Sequence, residues 1–239
     1  MIQNYIFDLY GTLVDIHTDE SMPILWRRMA LLLSLQGASY TPEELKSAYS
    51  AAVQTQIEQR SAKLPGIIKT DIEPDISAAF ASLYTGKGVA GISDERVMDT
   101  ALFFRTLSIR HLCLYPGAQM VLNTLRKKGK GIYLLSNAQA AFTIPELQKL
   151  GLLPAFDGIV ISSEVGVKKP NKYIFEYTLS KYGLHPATCL MVGNDEQADM
   201  RGAASVGMEG RYIHTKQSPP RQGPLPRGCR EMTDLSQLL

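Results

Sequence analysis

Apolar residues gather along this chain in two ways. Four short runs are continuous: 5–7 (YIF), 131–135 (GIYLL), 158–161 (GIVI) and 189–192 (CLMV). Continuity, rather than alternation with polar residues, predicts strands covered on both faces, as in a parallel sheet. Between the later runs, apolar positions recur at helical spacing. Residues 117–129 end in basic residues and then a glycine, the pattern of a capped helix, and 172–182 and 198–206 behave similarly. Strand alternating with helix predicts an α/β fold built on a doubly wound parallel sheet.

Residues 15–105 break that rhythm. They carry helical patterns, as in 23–33 (PILWRRMALLL), and no run comparable to the four strands. Thr41-Pro42-Glu43-Glu44 reads as a helix start, with Thr as N-cap, Pro at the first helical position and acids in the first turn. The expectation is an α/β core made of 1–14 and 106–239, interrupted by an all-helical insertion at 15–105. Residues 217–230, rich in Pro, Gly and Arg, read as a surface loop, and 233–239 as a short terminal helix.

A chain of 239 residues can bury a sizeable core. With 25 basic and 23 acidic residues the formal charge is only +2, so nothing global points to nucleic acid or an anionic membrane. No apolar run approaches the length a bilayer needs, and the N-terminus lacks a signal-peptide pattern. The three cysteines, Cys113, Cys189 and Cys229, are odd in number and form no CxxC pair. They read as reduced thiols of a cytoplasmic protein, Cys113 and Cys189 as core.

Chemistry concentrates where the apolar runs end. Asp8 follows the first, Ser136-Asn137 the second, and Asn194-Asp195 the fourth, with Asp199 beyond; Lys168-Lys169-Pro170 lie a short loop after the third. Ligands of open α/β sheets bind beyond the carboxyl ends of the strands. Taken singly, Asp8 reads as well as a turn acid, and Ser136-Asn137 as the start of a turn. Together they place acid, hydroxyl, base and acid pair on one rim.

In these stretches (Asp8-Leu9-Tyr10-Gly11-Thr12-Leu13, Tyr115-Pro116-Gly117, Leu135-Ser136-Asn137, Gly166-Val167-Lys168-Lys169-Pro170 and Val192-Gly193-Asn194-Asp195 with Asp199) the chain resembles the haloacid dehalogenase-like (HAD) hydrolase superfamily, in a form with a helical cap inserted after the first motif. The resemblance implies a Rossmann-like core and an Asp8 nucleophile that forms an aspartyl-phosphate. A phosphate monoester repels nucleophiles, so positive charge must surround the phosphoryl group. The family would supply it as Mg²⁺, held by Asp8, the Tyr10 carbonyl and Asp195, with Asp199 either a direct ligand or a supporting acid, and as a lysine. Lys169, immediately before the proline, is preferred to Lys168. Ser136 and the Asn137 amide would hold phosphate oxygens, and Gly11 and Thr12, in the loop that follows the nucleophile, would also bind substrate. Glu196 reads as a solvated first-turn acid, and Arg27, Arg28, Arg60 and Lys63 as a solvated helix face.

Tyr10 divides the reading. Most phosphatases of the superfamily have aspartate there, which protonates the leaving alkoxide; an ordinary tyrosine, with a pKa of about 10, is a poor base. The superfamily's 2-haloacid dehalogenases carry tyrosine at this place, because a departing halide needs no proton. One expectation is therefore a Mg²⁺-dependent phosphatase of a small phosphorylated metabolite. The alternative is a metal-independent dehalogenase with the same nucleophile, and a third reading is a binding or regulatory protein with a weakened site. Oligomeric state and substrate identity have no signature in the sequence.

Overall fold

The computed structural model describes residues 1–239. The chain opens with β1 (Asn4–Phe7) and β2 (Val14–Thr18), passes through four helices, α1 (Pro23–Leu35), α2 (Pro42–Lys63), α3 (Ile76–Thr85) and α4 (Asp94–Ser108), and returns along β3 (Ile109–Leu114). There follow α5 (Ala118–Lys127), β4 (Gly131–Ser136), α6 (Ala140–Lys149), β5 (Gly158–Ile161), α7 (Ser162–Val165), α8 (Lys172–Lys181), β6 (Cys189–Gly193), α9 (Gly202–Ser205), β7 (Glu209–Ile213) and β8 (Cys229–Met232).

Six strands form one parallel sheet in the order β5-β4-β1-β6-β7-β8, with β1 at its centre. The period-two pleat of β1 explains why its sequence is apolar throughout. Tyr5 and Phe7 enter one hydrophobic cluster, with Leu122, Leu134 and Val192, while Ile6 enters another on the opposite face, with Leu135, Phe175 and Met191. The doubly wound α/β fold expected from the sequence is present. Its four predicted strands are the contiguous set β5-β4-β1-β6. The outer strand β7 and the edge strand β8, which the apolar runs do not reveal, carry Glu209, Arg211, Arg230 and Glu231 among their few apolar residues.

The helices of residues 23–108 bury a core of their own. Trp26, Tyr49, Phe80 and Phe104 stack with ring centroids 5.2–5.7 Å apart, and Ala141 and Phe142 of α6 complete the cluster. At the start of α2, Thr41 Oγ1 accepts from the Glu44 amide while the Glu44 carboxylate accepts from the Thr41 amide, a full capping box. Chain enters and leaves this region through β2 and β3, which pair antiparallel as a two-stranded ribbon.

Several expectations are corrected. The stretch 15–105 is not free of strand, since β2 runs to Thr18. Residues 198–206 are not one helix: a wide π-helical turn, Glu196–Arg201, precedes the short α9. Residues 217–230 run into β8 at Cys229, and the terminal segment is a 3-10 turn, Leu235–Leu238, with Leu235 and Leu238 buried. Cys189 is core, but Cys113 is half-buried on the outer face of the ribbon; all three thiols are free. No helix is long and apolar enough to cross a membrane.

Candidate active site

β1, β4 and β6 end side by side, so their following residues meet without long side chains. Asp8 leaves β1 with its amide bonded to the Val192 carbonyl, and its side chain is 10% exposed. Lys169 reaches it from the loop after α7. The ammonium is buried and donates to Asp8 Oδ1 at 2.8 Å, Asp199 Oδ1 at 2.7 Å and the Leu135 carbonyl at 2.9 Å. Burial alone would push the Lys169 ammonium down, but Asp199 and Asp8 outweigh it and raise it. The Asp199 carboxyl is pushed up by burial and by Asp8, against the pull of Lys169. Lys168 stands outside this cluster, half-exposed.

The turn after Asp8 shapes the rest. The Thr12, Leu13 and Val14 amides all return to the Leu9 carbonyl, which leaves the Tyr10 carbonyl outside the turn's own bonding. Gly11 takes φ +87°, and a Cβ there would stand 2.2 Å from Asn194 Nδ2, so this place admits only glycine. Thr12 is fully buried and donates to Asp8 Oδ2 at 3.0 Å; it orients the Asp8 carboxylate rather than facing the pocket.

Opposite, Asp195 caps the π-helical turn. Its Oδ1 accepts from the Gln197 and Ala198 amides, and its Oδ2 makes no hydrogen bond. Both oxygens of Asp199 are engaged, Oδ1 by Lys169 and Oδ2 by the Asp195 amide at 3.0 Å. Asn137 clasps the Lys169 peptide with both its side-chain atoms, at 2.9 and 2.7 Å, so only its backbone faces a ligand. Ser136 Oγ is buried with no partner, although it borders a 160 Å³ pocket together with Asp8, Lys169, Asp195 and Asp199. A buried hydroxyl without a bond is uncommon and marks a place for a ligand atom. Three carboxylates here face one ammonium. A divalent cation fits that surplus of charge, and the groups with free capacity are Asp195 Oδ2, Asp8 and the Tyr10 carbonyl.

Tyr10 borders the same pocket, but its hydroxyl turns away. It donates to Glu146 Oε2 at 2.5 Å and lies 3.1 Å from Thr143 Oγ1. Burial first, and then the Glu146 carboxylate, hold the phenol protonated far above its usual range. Glu146 in turn is paired with Arg105 Nε at 2.6 Å, with both side chains largely buried, and the guanidinium lies 5.0 Å from the Phe142 ring centroid. Sequence reasoning missed this group. Its members come from the turn after β1, from α4 and from α6, and only Tyr10 belongs to a motif.

It also missed Gln217 and Pro219, which line the pocket. Glu196 is buried and paired with Arg201 at 2.6 Å, not solvated. Arg27, Arg28 and Lys63 are exposed, as expected of a solvated face, whereas Arg60 is half-buried and donates to the Glu73 and Ser163 carbonyls.

A family model described as haloacid dehalogenase-like hydrolase matches residues 2–207. Phosphoserine phosphatase of Thermus thermophilus is 35% identical over 130 residues, 52% of this chain and 49% of that protein. Glyceraldehyde 3-phosphate phosphatase of Methanocaldococcus jannaschii is 26% identical over 209 residues, 87% of this chain and 83% of that protein. The match thus spans about half the length of the Thermus thermophilus protein and most of the Methanocaldococcus jannaschii one. Among solved structures, the 2-haloacid dehalogenase of Pseudomonas syringae superposes with a TM-score of 0.64 at 20% identity, covering 100% of this chain and 96% of that one. The HAD phosphatase of Thermococcus onnurineus gives 0.59 at 19% identity, covering 99% and 96%. At such identities these two structures speak for the fold alone.

Proposed function

The chain belongs to the haloacid dehalogenase-like hydrolases, and we propose that it is a Mg²⁺-dependent phosphatase acting on a small phosphorylated metabolite through an aspartyl-phosphate on Asp8. The observation that carries this reading is the surplus of acid at the rim. Asp8, Asp195 and Asp199 are matched by Lys169 alone, so an anionic phosphoryl group enters only with a divalent cation beside it. Asp8, Asp195 Oδ2 and the Tyr10 carbonyl would hold Mg²⁺, a hard, oxygen-seeking ion that would supply that charge.

The protein's own groups do the rest. Thr12 and Lys169 hold the Asp8 carboxylate in one orientation, its oxygens turned for in-line attack. Asp199 keeps the Lys169 ammonium charged and fixed, and that charge offsets the charge spreading over the phosphoryl oxygens. Ser136 Oγ and the Asn137 amide take up phosphate oxygens. The Tyr10 phenol is committed to Glu146, so no group at that position protonates the departing alkoxide. Hydrolysis therefore favours acidic leaving groups, acyl and aryl phosphates over alkyl phosphates. Helices α1 to α4 serve as the cap over this rim and select the substrate, within a cytoplasmic enzyme.

The same tyrosine favours a second reading, metal-independent 2-haloacid dehalogenation by Asp8. A panel of phosphorylated metabolites and 2-chloropropionate, each assayed with Mg²⁺ and with chelator, separates the two. We expect phosphate release that needs Mg²⁺ and is abolished in Asp8→Asn, whose amide cannot form the covalent intermediate. Halide release in chelator, with every phosphate ester untouched, would replace the phosphatase with the dehalogenase.

A further inference from the structure

The β2–β3 ribbon has two unlike faces. Val14, Ile16, Leu112 and Leu114 lie against the core of the sheet. The pleat and the register Asp15↔Cys113 and His17↔His111 put four other side chains on the outer face, Asp15, His17, His111 and Cys113. Asp15 Oδ2 lies 3.1 Å from His111 Nε2, and Cys113 Sγ lies 3.2 Å from that same nitrogen. The three donor atoms all fall within 4.8 Å of one another.

No single tautomer of His111 makes a good hydrogen bond to both of its neighbours through Nε2. A ring nitrogen carries either a proton or a lone pair. With a proton, it donates to Asp15 and the thiol has no acceptor there. With a lone pair, it accepts from the thiol and confronts the Asp15 carboxylate lone pair to lone pair. A cation accepts from all three at once. Bonds of about 2.3 Å to sulfur and about 2.0–2.1 Å to nitrogen or oxygen, at tetrahedral angles, separate ligand atoms by about 3.3–3.6 Å. The Asp15–His111 and His111–Cys113 spacings are within a few tenths of an ångström of that, and Asp15 and Cys113 lie within 4.8 Å of each other.

The geometry points to a binding site for a borderline-soft divalent cation of the Zn²⁺ class, ligated by Asp15, His111 and the Cys113 thiolate, with solvent in the fourth position. Thiolate and imidazole discriminate against Mg²⁺, so this site is separate in chemistry from the one proposed at Asp8. Lys216 Nζ, 2.7 Å from Asp15 Oδ2, is the competitor already built into the protein; its side chain is 67% exposed and free to swing into solvent. Asp15 Oδ1 meanwhile accepts from Gln217 Nε2 at 2.8 Å, and Gln217 lines the Asp8 pocket. The cation thus sits one side chain away from that pocket.

Titration of the full chain with Co²⁺, followed by displacement with Zn²⁺, tests the assignment. We expect one equivalent of Co²⁺ to produce a thiolate-to-cobalt charge-transfer band that Zn²⁺ removes. The band should vanish in Cys113→Ser and persist in Cys229→Ser and in Asp8→Asn, which keeps this test independent of the phosphatase reading. His111→Ala, an exposed position whose loss does not threaten the fold, should weaken binding by at least ~10-fold, and Lys216→Met should tighten it. Absence of the band in the native protein, or its survival in Cys113→Ser, would overturn the site.

Discussion

Tyr10 illustrates how much one hydroxyl can decide. Its oxygen completes a chain in which Arg105 serves one oxygen of Glu146 and Tyr10 the other, inside a site from which water is largely excluded. Tyr10→Phe leaves Glu146 Oε2 without its donor, and a stranded buried acceptor costs about 1–3 kcal/mol. Phosphate release should stay within a few-fold of native, since the phenol never reaches the leaving group. Thermal melts and kcat on aryl and alkyl phosphates check both halves; a fall of about 10²–10⁴ in kcat on alkyl esters would make the phenol the general acid after all. Residues such as Asp8, Lys169 and Asp195 are legible in the sequence because each stands at a strand end in a short recognisable string. Arg105 and Glu146 are not, because a pair formed across 41 positions and two helices leaves no local spacing to read.

Elements show the same division. β1, β4, β5 and β6 are covered on both faces and so are written as unbroken apolar runs, whereas each strand of the ribbon is half outside, and VDIHT and IRHLCL alternate too briefly to stand out. The end of β6 carries a constraint that its sequence states without explaining. A Cβ on Gly193 would lie 2.1 Å from Asp199 Oδ2. Gly193→Ala must therefore push Asp199 off the Asp195 amide and loosen its hold on Lys169. A displacement near 1 Å in a preorganised site is worth about 10² in rate. We expect kcat/KM to fall by about that factor with the circular dichroism spectrum unchanged; native activity would mean that Asp199 does not govern the lysine.

Over the whole molecule, the helical region is tied to the lysine loop as well as to the ribbon. The Lys168 amide donates to the Asp71 carbonyl and the Glu73 amide to the Gly166 carbonyl, while Asn171 donates to the Asp71 carboxylate. Glu73 sits at the centre of this strap, accepting from Ser162 and Gln139. Burial raises its carboxyl above the ordinary value of 4.5, despite those hydrogen bonds and the nearby Lys168 and Arg60. A raised folded-state pKa means that the folded protein binds the proton more tightly than the unfolded chain. The stabilisation is complete below pH 4.5 and is lost as pH rises through the raised value. Glu73→Gln removes the titration, so urea melts across that window should show the native protein losing stability with pH relative to the variant. Parallel curves would show that Glu73 ionises in place without penalty.

The ribbon also bears on how the chain reaches this arrangement. Asn4 of β1 pairs with Gly131 of β4 only after the chain has travelled through all four helices, which makes the central pairing a distant one. Zipping Thr18 to Ile109 first removes the helical excursion from that search and leaves only the two arms beside the ribbon to close. The entropic gain is on the order of 1 kcal/mol, because closure grows only logarithmically with length. Its kinetic weight is larger, since distant pairings set the pace at which sheets form. Helices α1 and α4, packed together through Trp26 and Phe104, join directly onto the two strands of the ribbon, so the aromatic cluster of the helical region holds the ribbon's ends together and shortens the search by which the central sheet closes.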